Sequence, residues 1–456
     1  MGSRGNLVGA AVRCALVLLV ALAVSSSPPH RAAVRAPNPG GRYEQLDGIR
    51  LVCLQGDPYE MGLQQGTLLR EPMRELVRDY LYEHLVLERG ISQAWLLAYA
   101  RMLQRDVPND LRREMQGIAD GAGLSYQDVL LLNTAPDLIV LTDGFPCWNL
   151  SLSLLSNAGQ GVATLQSSMY GWQQSAALSC ASFAAWGPAT VGGGLLVGHN
   201  LDSTEADLLE RYLVVLVRRP SQGNAFVSAG LMGMVGVWAG MNEEKVTVTL
   251  SSSPSVDVAS SGQPLPFVLR RVLEHAGDLD QALHILLVGD RLCGGNVVVG
   301  DGKAPEAIAI EVSAHCHAVF GQAAESQPLA RTNHFLDSKL ALGQRNVLSR
   351  QERAASEARL ERLETLLQFN KGWFTEDKAL DLLRDDQGAQ VEDHPQEAIE
   401  GARTFQSILL CAERLTMWVA QDSAQRSPAQ GGVPTADGSH VSLALTSLLL
   451  ECLGSQ

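Results

Sequence analysis

The sequence predicts an α+β fold with helices packed as layers on antiparallel sheet, and three observations carry that prediction. The chain of 456 residues is 46% hydrophobic and 18% charged, the balance of a globular protein able to bury a core. Helical patterns dominate up to about Leu132, whereas from Ser179 onward β-branched and small residues run between glycine-rich turns such as Gly192-Gly193-Gly194. Helices and strands are thus segregated along the chain, which argues against a doubly wound parallel sheet. With 35 basic and 49 acidic residues the formal net charge is −14, a field that repels phosphate backbones, so no nucleic-acid partner is expected.

At the amino terminus, Arg4 and Arg13 precede the apolar run Cys14 to Val24, followed by small residues. This is the pattern of a secretory signal peptide, expected over residues 1–25, with a Pro/Arg-rich linker over 26–42. The run is shorter than the roughly 20 residues of a membrane span. The mature chain is therefore expected to be exported (secreted, periplasmic or in the secretory-pathway or lysosomal lumen) with no stable span, an uncleaved anchor being the alternative. A mainly helical segment follows over 43–179. Ile49 to Leu54 reads as a strand; Asp57, Pro58 and Glu60 then form a capping box with proline at the first helical position, and Ser125 with Asp128 starts a later helix by the same device. Asn149-Leu150-Ser151 is a glycosylation sequon.

In the second part, 180–456, strands are expected at Cys180 to Trp186, Leu195 to Leu201, Tyr212 to Val217, Val235 to Gly240 and Lys245 to Leu250. Helices at Pro266 to His275 and Leu279 to Leu287 precede strands at Asn296 to Val299 and Ala307 to Phe320. Ser349 to Leu367 reads as a highly charged helix with a solvated face, Ser427 to His440 as a loop, and Val441 to Leu450 as an apolar close.

Apart from Cys14 there are seven cysteines, none in a CxxC pair, so zinc-ribbon and thioredoxin-like readings lack their spacing. His315-Cys316-His317 ends the Ile308 strand, whose alternation would place the two histidines on one face and the cysteine on the other; no metal site is expected. If Cys180 is set aside as a free thiol, six cysteines remain to pair in an oxidising compartment, and a bridge from Cys53 or Cys147 to a cysteine beyond 180 would tie the two parts together.

Cys180 sits where the texture changes from helix to strand. Asp202 lies one hairpin away, and Thr332-Asn333-His334-Phe335 follows the Gly321 to Leu329 loop. Taken singly these are a core cysteine, a cap for the turn after Asp202, and a turn asparagine; Asn242 likewise serves its own turn. Together, CASFAAWG at 180–187, GHNLD at 198–202, GMNEE at 240–244 and RTNHF at 331–335, with GDPYEMGLQQG at 56–66, resemble the acyl-coenzyme A:6-aminopenicillanic acid acyltransferase family (peptidase family C45) of N-terminal nucleophile hydrolases.

The resemblance implies a layered αββα fold and self-cleavage between Ser179 and Cys180, leaving two chains associated. It implies Cys180 as nucleophile, its new α-amine as base, Asp202 holding that amine, and Asn333 donating to the oxyanion. The substrate would be a small linear amide such as an N-acyl amino acid or N-acyl amine, hydrolysed or transferred through an acyl-cysteine without metal or organic cofactor. Three departures stand out. His199 occupies a position where bile-salt hydrolases carry arginine, giving the nucleophile a pH-dependent partner; Ser179 replaces a common glycine; and Ser251-Ser252-Ser253 replaces an asparagine. A non-catalytic exported binding protein that keeps the fold is the alternative from another class.

Overall fold

The computed structural model describes residues 40–144, 179–259, 261–321, 328–345, 347–387, 398–400, 403–421 and 440–453. The signal region, the linker up to residue 39, the sequon, Cys147 and most of the 427–440 loop lie outside them; Arg42, expected in the linker, opens the first strand.

The described part ahead of Cys180 opens on strand, as the sequence from Ile49 predicts, with one more strand before it. β1 (Arg42–Leu46) and β2 (Ile49–Gly56) form a hairpin, and Asp57 then caps α1 (Pro58–Leu68) with both arms of the expected box in place. α2 (Arg70–Leu76) runs into a π-helix (Val77–Glu88), followed by α3 (Gln93–Leu103), α4 (Asn109–Ala122) and α5 (Tyr126–Gly144). At the start of α5 the Asp128 N–H donates to Ser125 Oγ (3.1 Å), as the sequence foretold. Helices α1 and α4 approach backbone to backbone through glycines: a Cβ on Gly62 would sit 2.0 Å from the Glu114 carbonyl oxygen. The GDPYEMGLQQG motif owes its glycines at 62 and 66 to this contact.

The later strands are β3 (Ser179–Ala185), β4 (Leu196–Asp202), β5 (Leu213–Pro220), β6 (Phe226–Leu231), β7 (Ala239–Asn242), β8 (Val246–Ser252), β9 (Gly295–Asp301), β10 (Glu306–Val312), β11 (His317–Phe320), β12 (Leu329–Arg331), β13 (Thr404–Cys411), β14 (Thr416–Gln421) and β15 (Val441–Ala444). They build a nine-stranded sheet, β1-β2-β5-β6-β7-β8-β9-β10-β11, and a six-stranded sheet, β12-β3-β4-β13-β14-β15. All pairings are antiparallel except β2 with β5, where Leu51 lies opposite Val215.

Three apolar clusters define the layers. One joins the N-terminal helices, α6 (Leu265–His275) and α7 (Leu279–Val288) to the large sheet through Val52, Leu54, Val214 and Leu216. The second lies between the sheets, where Leu51, Val215 and Val217 meet Ala184, Val197 and Ile408. The third seats α9 (Arg350–Phe369) and α10 (Glu376–Leu383) on the small sheet through Phe183, Leu363, Phe374 and Leu409; α8 (Ser338–Gln344) precedes them. The order is helix, sheet, sheet, helix. Because adjacent residues of β2 and of β5 serve different clusters, both faces of the large sheet are buried. The last described element is α11 (Leu445–Leu453), whose Leu445 and Leu448 join the inter-sheet core.

Some elements differ from their sequence-based expectation. The predicted strand Val235 to Gly240 begins only at Ala239, and β6 was not foreseen. Val235 and Val237 are buried, but their N–H groups donate to Asn133 Oδ1 (2.8 Å) and to the Pro266 carbonyl (2.9 Å), so apolarity there marks a core loop and not a ladder. Ala307 to Phe320 is a hairpin, β10 and β11, and His315 and Cys316 occupy its turn. Strand alternation therefore does not govern that triplet; His315 Nδ1 lies 2.6 Å from Asp257 Oδ1. Among the described residues no group of three or more His, Cys, Asp or Glu could hold a metal, and no helix is long and apolar enough to cross a membrane. Cys53 is disulfide-bonded, while Cys180, Cys316 and Cys411 hold free thiols.

Candidate active site

Cys180 lies near the start of β3, opposite Leu201 of β4, with Asp202 opposite Ser179. On that face two residues further along, Ser182 Oγ is 3.1 Å from Ser251 Oγ of β8, so the Cys180 side chain also points toward the large sheet. Cys180 is 1% exposed. Burial pushes its thiol up to about 12, reinforced by the Asp202 charge and opposed by the backbone N–H groups of Ser252 and Asp202 and by Arg359. Ser252 is the middle serine of the 251–253 run that departs from asparagine, and it serves the sulfur through its main chain.

The loop after β12 brings Asn333 onto this strand. Its Oδ1 accepts the Cys180 N–H (2.8 Å) and a hydrogen bond from Arg359 Nη2 (2.9 Å), while its Nδ2 donates to the Ser252 carbonyl (2.9 Å). The loop is itself pinned. Asn333 N–H donates to Ser356 Oγ (2.9 Å), Gln344 Nε2 donates to the Asn333 carbonyl (3.0 Å), and Asn296 Nδ2 donates to the Thr332 and His334 carbonyls. One N–H of the expected oxyanion donor is thus given to the Ser252 carbonyl, while its Oδ1 holds the Cys180 nitrogen.

Asp202 is buried and accepts from Thr404 Oγ1 (2.6 Å). Burial lifts its carboxyl to about 7, against the pull of Arg359, Thr404 and Arg403. His199 is fully buried, its Nδ1 2.9 Å from Ser182 Oγ, and burial lowers it to about 3. It is uncharged between pH 5 and 8, so the pH-dependent charge expected of it is not present. The cation of the site is Arg359, 2% exposed, which electrostatically favours both ionised Asp202 and ionised Cys180.

Arg359 is hidden in the sequence because the dense charge of its helix predicts a solvated face. The signal was nonetheless there: Ala355, Ser356, Arg359, Leu360, Leu363 and Leu367 form one buried helical stripe, and Arg359 lies within it. His334, also buried, faces Ser356 and Thr332 and lies outside the thiol's surroundings. Asn242 ties down its own turn, as expected, through Val246 N–H and the Leu273 and Ala276 carbonyls. A cleft of about 330 Å³ lined by Thr190, Phe374, Glu376 and Cys411 lies toward the far end of β4, where Cys411 pairs with Leu196, and is separate from this cluster.

Two stacked sheets between helical layers are the layering of the N-terminal nucleophile hydrolase class of fold. The chain belongs to the acyl-coenzyme A:6-aminopenicillanic acid acyl-transferase family, whose model matches residues 190–422. The match takes in His199, Asp202, Asn333 and Arg359 and begins ten residues after Cys180. Curated relatives include an uncharacterized protein of Archaeoglobus fulgidus, 29% identical over 67% of this chain and 50% of its own length. Another is protein dcd1A of Dictyostelium discoideum, 24% identical over 58% of each. The chain spans about half the length of the curated relatives it matches. Among solved structures it is similar to a Caenorhabditis elegans ortholog of N-acylethanolamine-hydrolyzing acid amidase (18% identity, TM-score 0.37, 58% of this chain and 100% of that one). It is also similar to a conjugated bile acid hydrolase from Clostridium perfringens (14% identity, TM-score 0.39, 59% and 93%).

Proposed function

We propose that this protein is a self-processing amidohydrolase, cut between Ser179 and Cys180, that opens a small linear amide such as an N-acyl amino acid or N-acyl amine through an acyl-cysteine. One observation carries the reading: the Cys180 nitrogen, which cleavage would turn into the catalytic α-amine, is already held by Asn333 beside Asp202 and Arg359. A structural cysteine has no need of a buried cation and a carboxylate poised near neutrality.

In the cut, the thiol gives its proton to the Asp202 carboxylate, whose affinity near pH 7 suits that task. The sulfur bonds to the Ser179 carbonyl carbon, the carbon–nitrogen bond breaks, and the nitrogen takes up the proton. Water then splits the thioester, leaving Ser179 as a carboxylate and Cys180 with free thiol and amine. In turnover that amine, with a reference pKa of about 7.7–8.0, takes the thiol proton and passes it to the departing amine of the substrate, and water releases the acid. Arg359 favours the thiolate throughout, and Asn333 keeps the nitrogen aimed at the sulfur.

An exported enzyme lacks ready access to acyl-coenzyme A, which favours water over an amine as acyl acceptor. The N-terminal chain stays bound after the cut, because it supplies two strands and most of the helical core. Amino-terminal sequencing of the purified protein should read Cys-Ala-Ser-Phe, and Cys180→Ala should leave an uncut, inactive chain. A fully active protein that remains in one piece would overturn the proposal, and an uncut, inactive one would favour the binding-protein alternative.

A further inference from the structure

We infer that His84, on the π-helix of the N-terminal segment, is a positioning residue for Asp202: it grips Glu205, three residues beyond that carboxylate, and holds it more firmly when protonated. The inference rests on the function proposed above, with His84 acting through the chain that leaves β4 rather than on substrate.

Glu205 has a side chain only 8% exposed, and the π-helix and its C-cap residue Arg89 supply the partners that reach it. His84 Nε2 lies 2.8 Å from its Oε1 and Arg89 Nη1 3.4 Å from the same oxygen, while Tyr80 hydrogen-bonds it as well. The Tyr80 and His84 rings stack, with centroids 6.2 Å apart. The wide helix explains how these groups converge. A π-helix, closing i→i+5, has roughly 4.4 residues per turn, so positions nine apart such as Tyr80 and Arg89 return to about the same side, whereas an α-helix would set them on opposite sides. A second link ties this helix to the same stretch of chain: Tyr212 Oη donates to Asp79 Oδ2 (2.6 Å), with Arg211 3.6 Å away.

Between these links runs the chain that leaves β4. Ser203 N–H donates to the Arg403 carbonyl (3.0 Å) and Glu205 N–H to Ser203 Oγ (3.0 Å), so a pull on Glu205 bears on the residue next to Asp202. The neighbouring Thr404 is the group that bonds the Asp202 carboxylate.

The charged groups facing the His84 ring are Glu205 from across the interface and Glu88, 2.8 Å from Nδ1, on its own helix. The hydrogen bond to Glu205 raises His84 above its ordinary value, outweighing burial, and Glu88 adds to it. A raised histidine contributes stability that is fully present below its ordinary value and lost as pH rises through the folded-state value.

The test compares wild type with His84→Gln, which keeps a donor of similar reach but no charge. Both are followed from pH 5.5 to 8.5 by the rate of appearance of the chain beginning at Cys180, by kcat and KM, and by thermal midpoint. At pH 5.5 cutting and kcat should fall about fivefold with KM within twofold of wild type, and the gap in rate and in midpoint should close by pH 8.5. Loss of packing alone would give a gap independent of pH; that result, or no gap at any pH, overturns the proposal. A wild-type chain that never cuts and never turns over defeats the proposed function instead, and the pH dependence of the midpoint gap then still tests the His84 grip.

Discussion

Two clusters of buried charge lie on opposite faces of the nine-stranded sheet, and they are built on different rules. On the helical face, Glu114 of α4 meets Arg218 of β5 (3.2 Å) and Arg270 of α6 (2.9 Å), and Arg270 also meets Glu274 (2.7 Å). Two cations face two anions. Burial lowers Arg218 to about 10; it also lowers Arg270, but there Glu114 and Glu274 outweigh it and leave the group above its ordinary value. Both guanidiniums keep the charge they have in water. On the inter-sheet face one guanidinium, Arg359, serves both Asp202 and Cys180, and burial lifts the carboxyl to about 7 and the thiol to about 12. There the charge of the carboxyl is unsettled near neutrality, as a proton acceptor requires and a structural contact does not. The contrast separates a polar brace between the N-terminal segment and the rest of the chain from the proposed reactive centre, although both are fully buried.

The sharpest way to break that distinction is Asp202→Asn, which keeps shape and deletes the charge. Cutting at Cys180 and turnover should fall by at least about 10²-fold, the scale of a lost general base. Stability should move in the opposite sense on the alkaline side. A carboxyl raised from its ordinary value to about 7 favours the folded state below pH 4 and loses that contribution as pH climbs toward 7. The variant has no such loss, so its urea midpoint should change less than wild type between pH 4 and 8. Normal cutting by Asp202→Asn would place the base elsewhere.

How far the centre could be read in advance depended on the kind of contact involved. The placement of Cys180 and Asp202 on paired strands and the capping boxes of α1 and α5 were legible because their signals are local: a strand start, a hairpin return, and side chains three residues apart. Arg359 was hidden because its role depends on which face of α9 the small sheet covers, a matter of tertiary packing over a distance of 157 positions from Asp202. The same holds for His199, whose charge is fixed by burial and not by neighbours in sequence. β6 escaped notice because Ser228, Ala229 and Gly230 weaken its apolar alternation, whereas Val235 and Val237 imitated a strand while bonding to α5 and α6.

The brace should fail differently from the centre. Arg270→Met removes the cation shared by Glu114 and Glu274 and leaves Glu274 buried without it, so stability should drop by roughly 3–5 kcal/mol, the cost of breaking a buried pair. Turnover per folded molecule should stay within about twofold, because no member of the brace touches the thiol. Denaturant melts paired with active-site titration would measure both. A fall in kcat beyond the unfolded fraction would show that the brace also tunes the centre and would erase the comparison.

The smallest effect is expected at His199, where the two histidines of interest part ways. His84 is half-buried against two carboxylates and lies above its ordinary value; His199 is fully buried against the Ser182 hydroxyl and lies near 3. A histidine that low is neutral at every pH where the enzyme would work, so deleting it cannot remove a titration from the pH–rate profile. His199→Gln preserves a donor and an acceptor for the Ser182–Ser251 chain, and kcat should stay within about threefold of wild type with an unchanged profile between pH 5 and 8. A flattened profile would mean that His199 is charged in the working enzyme and that burial has been offset by a group drawn in after the cut. Arg359 would then share its role as the cation beside the thiolate.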